Sequence, residues 1–308
     1  MASMQDYVTA LRSQGKKAVL GPDRSCWEQN EMFGMQRVPP HCLRVPQPGE
    51  VRRLLWKTRS LVASYVLAAD DAHPANARLY VCENRDYCVD QLAPPVRRHI
   101  RRALGALCFR FLAAEEFLQH GVRPYCDTRA RAGLSDGTPE LFREHAVSRA
   151  GNPACQILGA WHGDVLAAYM WMLMIDDWVA IAAYAADEHL HLRPNNGLVH
   201  FALDYCLTQR RCRVVCYGLS SLQEVSRAAT LDTFKRKVGF ETRPVNRVLL
   251  FHPLVKPFLN SLTLKSLHLL LRIRPRSRLL RKAAGVIAGV SESGDSFAGP
   301  EETANALK

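Results

Sequence analysis

Long apolar runs are missing from this 308-residue chain. The stretch at 267–273, read as the best candidate for a membrane helix, is far too short to span a bilayer. The first 20 residues mix charges with apolar side chains, so no export leader is expected. The ten cysteines, at positions 26, 42, 82, 88, 108, 126, 155, 206, 212 and 216, are spread thinly and form no CxxC pair. This argues against a disulfide framework and for reduced thiols in a cytoplasmic protein. Cys206, Cys212 and Cys216 read as buried structural thiols rather than zinc ligands. A P-loop, a Rossmann fingerprint, an HExxH pair and a nucleophile elbow are all absent. No resident metal or tightly bound cofactor is therefore expected. Acidic residues are few, 29 against 41 Lys and Arg, and none falls between residues 256 and 282. A net charge of +12 suits nucleic acid, phosphorylated substrates or anionic membrane surfaces, and says nothing about fold.

The length accommodates one or two domains. Residues 1–24 read as an N-terminal arm, helical or loose. Pro39, Pro40, Pro46 and Pro48 limit regular structure, and Trp27 and Phe33 read as packing residues. Residues 51–67 fit helix and strand alike, whereas 78–82 alternate as a strand. Pro94-Pro95 opens a helix with Val96, Ile100, Ala103 and Leu104 on one side. Arg97, Arg98, Arg101 and Arg102 cluster on that helix and suit a phosphate, a carboxylate-rich partner or plain solvation. Residues 107–111 predict a strand and 115–119 a helix stopped by Gly121. Residues 128–137 lack periodicity and read as an interdomain link.

The second half has clearer periodicity. Pro139 opens a helix; residues 155–161, 165–173 and 178–184 then predict three strands joined by short turns, an antiparallel meander. Asp176-Asp177 and Asp187-Glu188 read as turn carboxylates, and His189 and His191 lack a third ligand nearby in sequence. Arg193-Pro194-Asn195-Asn196-Gly197 leads into a helix with the stripe Leu198, Phe201, Ala202 and Tyr205. A strand at 213–217, a helix at 231–240 stopped by Gly239, and a strand at 248–251 complete a βββαβαβ order. Residues 254–290 interleave leucines with basic residues and read as a basic helical extension. It suits a packed helix pair, an RNA backbone or peripheral membrane contact. Residues 291–308 read as a disordered tail.

The βββαβαβ order resembles the GNAT acyltransferase fold, a mixed-sheet α/β (α+β) architecture. Phe234-Lys235 followed by Gly239-Phe240 resembles the FK…FG feature of the FemABX branch and the more general Y…GF ending of GNATs. The resemblance implies two tandem GNAT-like domains: a degenerate acceptor-binding domain at 25–135 and a catalytic domain at 136–253. It implies an N-acyl or aminoacyl transferase that forms an amide bond on an amine-bearing peptide or small molecule. Aminoacyl-tRNA is the favoured donor and acyl-CoA the alternative, because Arg193 to Gly197 departs from the R/Q-x-x-G-x-G/A pyrophosphate turn. A non-catalytic RNA- or membrane-binding protein is a third reading. Lys235 is then the candidate catalytic cation for the developing oxyanion or the leaving group. Phe234, Gly239 and Phe240 support it by packing. Arg97, Arg98, Arg101, Arg102, Arg193, Asn196, Gly197, Tyr217 and Ser220 are candidate donor or substrate contacts. Asp232, Tyr184, Tyr217 and Ser220 are the candidate general bases.

Overall fold

The computed structural model describes residues 1–273 except 22, 30–33, 48, 134–136, 221–224 and 256–260. Phe33, the tail at 291–308 and most of the basic extension lie outside the described residues. In chain order the elements are α1 Met4–Ser13, β1 Ala18–Leu20, β2 Cys26–Gln29, β3 Gly34–Val38, α2 Glu50–Thr58, β4 Val62–Ala68, β5 Ala77–Cys82, α3 Pro94–Ala106, β6 Cys108–Phe111, α4 Ala114–His120, α5 Val122–Arg131, α6 Pro139–Ala150, β7 Cys155–His162, β8 Val165–Ile175, β9 Trp178–Ala185, α7 Pro194–Leu203, β10 Val214–Leu219, α8 Val225–Lys237, β11 Glu241–Phe251 and α9 Ser261–Ile273. The ambiguous stretch at 51–67 divides into a helix and a strand, α2 and β4.

The chain divides into two compact units. The first combines Met1–Gln14, Leu79–Ser220 and Val225–Arg243; the second contains Gly15–Arg78 and the described residues of Pro244–Lys308. The units are therefore interleaved along the chain, not tandem, and their bounds do not follow the division at residue 135. The expected link at 128–137 is helical as far as Arg131 in α5. Its lack of apolar periodicity is offset by polar anchoring. The Thr128 hydroxyl accepts the Ala185 N–H at 2.9 Å and donates to its carbonyl at 3.2 Å.

In the first unit the strand order is β5-β10-β9-β8-β7-β6. The meander β7-β8-β9 is antiparallel throughout, because its short turns reverse the chain. The β9–β10 joint is parallel and has α7 as its crossover. Leu198, Val199, Ala202 and Leu203 of α7 are buried with Ile100 and Ala103 of α3 and Met170 and Met172 of β8. The residues expected as an arm are tied in: α1 buries Met4, Tyr7, Val8 and Leu11 and is capped by a reciprocal Ser3–Asp6 pair.

In the second unit the order is β1-β2-β3-β4-β11. The strand expected at 248–251 is longer and pairs antiparallel with β4 from Val245 to Phe251. Helix α2 crosses between the parallel strands β3 and β4 and buries Val51, Leu54 and Leu55 against Trp27, Met35, Tyr65 and Leu67. A polar knot holds the segment before α2. Asp23 is bonded to Ser25, Arg37, Cys42 and Arg44. Burial opposes its ionisation, but these partners outweigh that and hold its carboxyl well below the usual range.

Candidate active site

Strands β9 and β10 stay together for only part of their length. Trp178, Val179 and Ala180 pair with Val214, Val215 and Cys216; beyond these, β9 runs on to Ala185 and β10 to Leu219. On its other side β10 pairs with β5 at Cys216–Val81 and Leu219–Leu79, with a register shift between them. Tyr217 and Gly218 thus oppose the single residue Tyr80, a β-bulge. Gly218 has φ +75°, which a glycine adopts without strain.

Lys235 of α8 reaches that bulge. Its Nζ lies 4.4 Å from the centre of the Tyr80 ring and 5.1 Å from that of Tyr217. It donates to the Leu219 carbonyl at 3.5 Å, the long limit for a hydrogen bond. Lys235 is 4% exposed, whereas Arg236 and Lys237 face solvent. Burial lowers its pKa from the ordinary 10.5 to about 8, and the nearby Asp232 and Cys216 only partly oppose that shift. Asp232 is itself buried one turn earlier. A helix face that buries an aspartate and a lysine is costly and is a recognised mark of functional sites.

The end of α8 holds this lysine in place. The Phe240 N–H bonds the Lys235 carbonyl at 3.2 Å and the Gly239 N–H bonds the Arg236 carbonyl at 3.3 Å. Gly239 has φ +107°. These are the paired bonds of a Schellman ending. Phe240 is buried and its ring lies 5.3 Å from that of Tyr217; Phe234 is half-buried against the same core. The Cβ position of Gly239 is 3.2 Å from the Tyr87 ring, and the Tyr87 hydroxyl meets His200 Nδ1 at 3.2 Å.

The four arginines of α3 separate into two pairs. Arg101 bonds Asp90 at 3.1 Å and Arg97 lies 4.0 Å from the same carboxylate. Arg98 and Arg102 instead share the surroundings of His99 with Arg193 and Lys237. Burial first, and then these four cations, lower the His99 pKa. Arg193 sits in the left-handed region at the start of α7.

The start of α7 is closed on itself. The Asn196 and Gly197 N–H groups point to the Arg193 carbonyl at 3.0 and 3.4 Å. A Cβ at Gly197 would lie 2.2 Å from the Phe109 ring and 3.0 Å from Ala103. Gly197 thus serves the close approach of α7 to α3 and β6. The space on the Cβ side of Gly197 is filled by Phe109 and Ala103.

The remaining candidates have other placements. Burial raises the Tyr217 phenol further, away from use as a base near neutrality. Tyr184 stacks on Tyr169 at 5.0 Å and Tyr125 at 5.6 Å. Ser220 directly follows Leu219 and is half-buried. Burial pushes the Cys216 thiol up to about 11, which disfavours a thiolate nucleophile. Asp177, Asp187 and Glu188 form ion pairs with Arg213, Arg131 and Arg123. His189 and His191 lie in a short 3-10 helix. Among the described residues no cluster of three or more His, Cys, Asp or Glu could hold a metal ion. Tyr80, His99 and Lys237 carried no sequence signal, since each joins the site through partners distant in the chain.

No family model matches the chain, and no curated protein matches it. Solved structures are similar in fold at very low identity. FemX matches with 8% identity and a TM-score of 0.55, covering 82% of this chain and 92% of that one. The C-terminal domain assigned to a lysylphosphatidylglycerol synthetase from Agrobacterium fabrum matches with 9% identity and a TM-score of 0.52, covering 80% and 89%. A conserved protein from Bacteroides thetaiotaomicron matches with 8% identity and a TM-score of 0.51, covering 79% and 88%. The chain thus shares its fold, a mixed α/β sheet, with FemX and these other structures.

Proposed function

We propose that the first unit is an acyl or aminoacyl transferase that forms an amide on an amine acceptor, with aminoacyl-tRNA as donor. The observation that carries this reading is the buried Lys235 ammonium beside the β10 bulge. In the reaction the acceptor nitrogen attacks the ester carbonyl carbon, and a C–N bond forms. The carbonyl oxygen becomes an oxyanion, which the Lys235 ammonium stabilises in a dry site. The carbon–oxygen ester bond then breaks. The proton lost by nitrogen passes to the leaving ribose oxygen, with its neighbouring hydroxyl as relay. Positioning supplies the rest. The surplus cations Arg98, Arg102, Arg193 and Lys237 are the donor-phosphate contacts in this reading.

Acyl-CoA is the second donor class. The stretch Arg193 to Gly197 disfavours it, because it lacks the second glycine of the R/Q-x-x-G-x-G/A turn and the Asn196 N–H is bonded to the Arg193 carbonyl. The deciding assay incubates the protein and an amine panel with a charged tRNA pool or with an acyl-CoA panel, and reads product mass. Transfer from charged tRNA is expected. Transfer from acyl-CoA alone would reject the donor, and transfer from neither would reject the enzyme.

A further inference from the structure

The second unit has an outward surface that the transfer chemistry does not use. Helix α2 buries Val51, Leu54, Leu55 and Thr58 and turns Arg52, Arg53, Trp56, Lys57 and the following Arg59 outward. Its one acidic residue, Glu50, is engaged by Arg44 at 3.2 Å and by the Gln47 N–H at 2.9 Å. The outward face is therefore cationic with an aromatic ring at its centre. Trp56 is 56% exposed. It is held, not loose: its ring packs edge-on against buried His252 at 4.2 Å. The His252 N–H bonds the Leu61 carbonyl at 2.8 Å, and the Leu254 N–H bonds His252 Nδ1 at 3.3 Å. His252 thus joins the Trp56 ring to the backbone of Leu61 and Leu254, and all three residues have exposed side chains.

Helix α9 of the same unit repeats the pattern. Lys265, Ser266, Leu269, Leu270 and Ile273 are exposed, and at about 100° per residue they fall within one arc. Ile273 is 72% exposed. Lysine and arginine surround this helix in sequence, and no acid occurs between residues 256 and 282. Among the described residues no helix is long and apolar enough to cross a membrane.

We propose that the second unit carries a peripheral docking surface for anionic phospholipid bilayers. The α2 face with Leu61 and Leu254 forms one anchor and the exposed face of α9 a second. Cations and a held tryptophan suit the headgroup layer, and the aliphatic side chains suit the acyl boundary beneath it. A phosphate backbone alone would satisfy the cations but would leave five exposed aliphatic groups (Leu61, Leu254, Leu269, Leu270, Ile273) in water. The inference does not rest on the transferase reading.

The test is co-sedimentation of the full chain with vesicles of phosphatidylcholine alone or with about a third phosphatidylglycerol, at rising salt. Binding to the anionic vesicles alone, weakened by salt, is expected. Lys57→Gln and Arg53→Gln should each weaken it about fivefold. Trp56→Ser and the double variant Leu269→Ser/Ile273→Ser should weaken it at least as much. The thermal midpoints of the Lys57, Arg53 and Leu269/Ile273 variants should match the parent, since those side chains are exposed, whereas Trp56→Ser gives up the His252 contact and is compared at a temperature well below its own midpoint. Equal binding to both vesicle types, no binding to either, or indifference to Trp56→Ser would overturn the proposal. So would a dimer by light scattering that Trp56→Ser dissociates, or RNA binding lost in these variants without vesicle binding.

Discussion

Lys235 lies at a point where stability and chemistry pull apart. An ammonium with 4% exposure and no hydrogen-bonded carboxylate among its described contacts has lost much of its hydration. The tyrosine rings return part of that through their negative faces. Because the folded pKa, about 8, lies below the ordinary 10.5, the folded state binds the proton less readily than the unfolded chain. The penalty is full below pH 8 and disappears as pH rises toward 10.5; it amounts to about 3 kcal/mol at most. Lys235→Met should therefore raise the unfolding free energy at neutral pH by about 1–2 kcal/mol after the lost ring contacts are counted. The same variant should lower kcat about a hundredfold or more. If the ammonium is the working form, turnover should fall as pH rises through about 8. A rise through that pH would instead assign Lys235 as a base.

At the scale of elements, α3 and α7 decide what the basic residues are free to do. Arg97 and Arg101 share Asp90, whereas Arg98 and Arg102 gather with Arg193 and Lys237 around His99. Arg98→Ala with Arg102→Ala should raise KM for the phosphate-bearing donor about tenfold or more, while Arg97→Ala with Arg101→Ala should change it little. Steady-state kinetics with one donor and fixed acceptor separates the two. Gly197→Ala should act on stability instead. Its new Cβ would lie 2.2 Å from the Phe109 ring, and overpacking of this kind costs about 1–3 kcal/mol. Denaturant unfolding should show that loss, with donor KM moving less than in the Arg98/Arg102 variant.

At the scale of the molecule, the first unit takes strands from both sides of residue 135. β7 pairs with β6, and β10 pairs with β5. A fragment of residues 136–253 would lack β5, β6 and α3 and expose both edges of the remaining sheet. It should be insoluble or lack a cooperative thermal transition, whereas the full chain should show one. A soluble, cooperatively folding fragment would restore the tandem division.

Local patterns were enough for much of the fold. Apolar runs in residues 155–184 separated by short polar turns specify the meander, and Pro94, Pro139 and Gly239 mark helix ends through backbone restrictions that belong to single residues. The basic surplus is likewise a property of composition. Tertiary structure decided that Lys235 turns inward while Arg236 and Lys237 stay in water, that Asp90 takes two arginines and leaves two, and that Phe109 occupies the space beside Gly197. It also decided that the stretch beginning at Thr128 continues a helix, anchored by Ala185 across the unit. Each of these outcomes depends on burial and pairing with residues far away in the chain. The FK…FG stretch shows the division most plainly: its glycine stop is local, while the state of its lysine is set by Tyr80, Tyr217 and the bulge in β10.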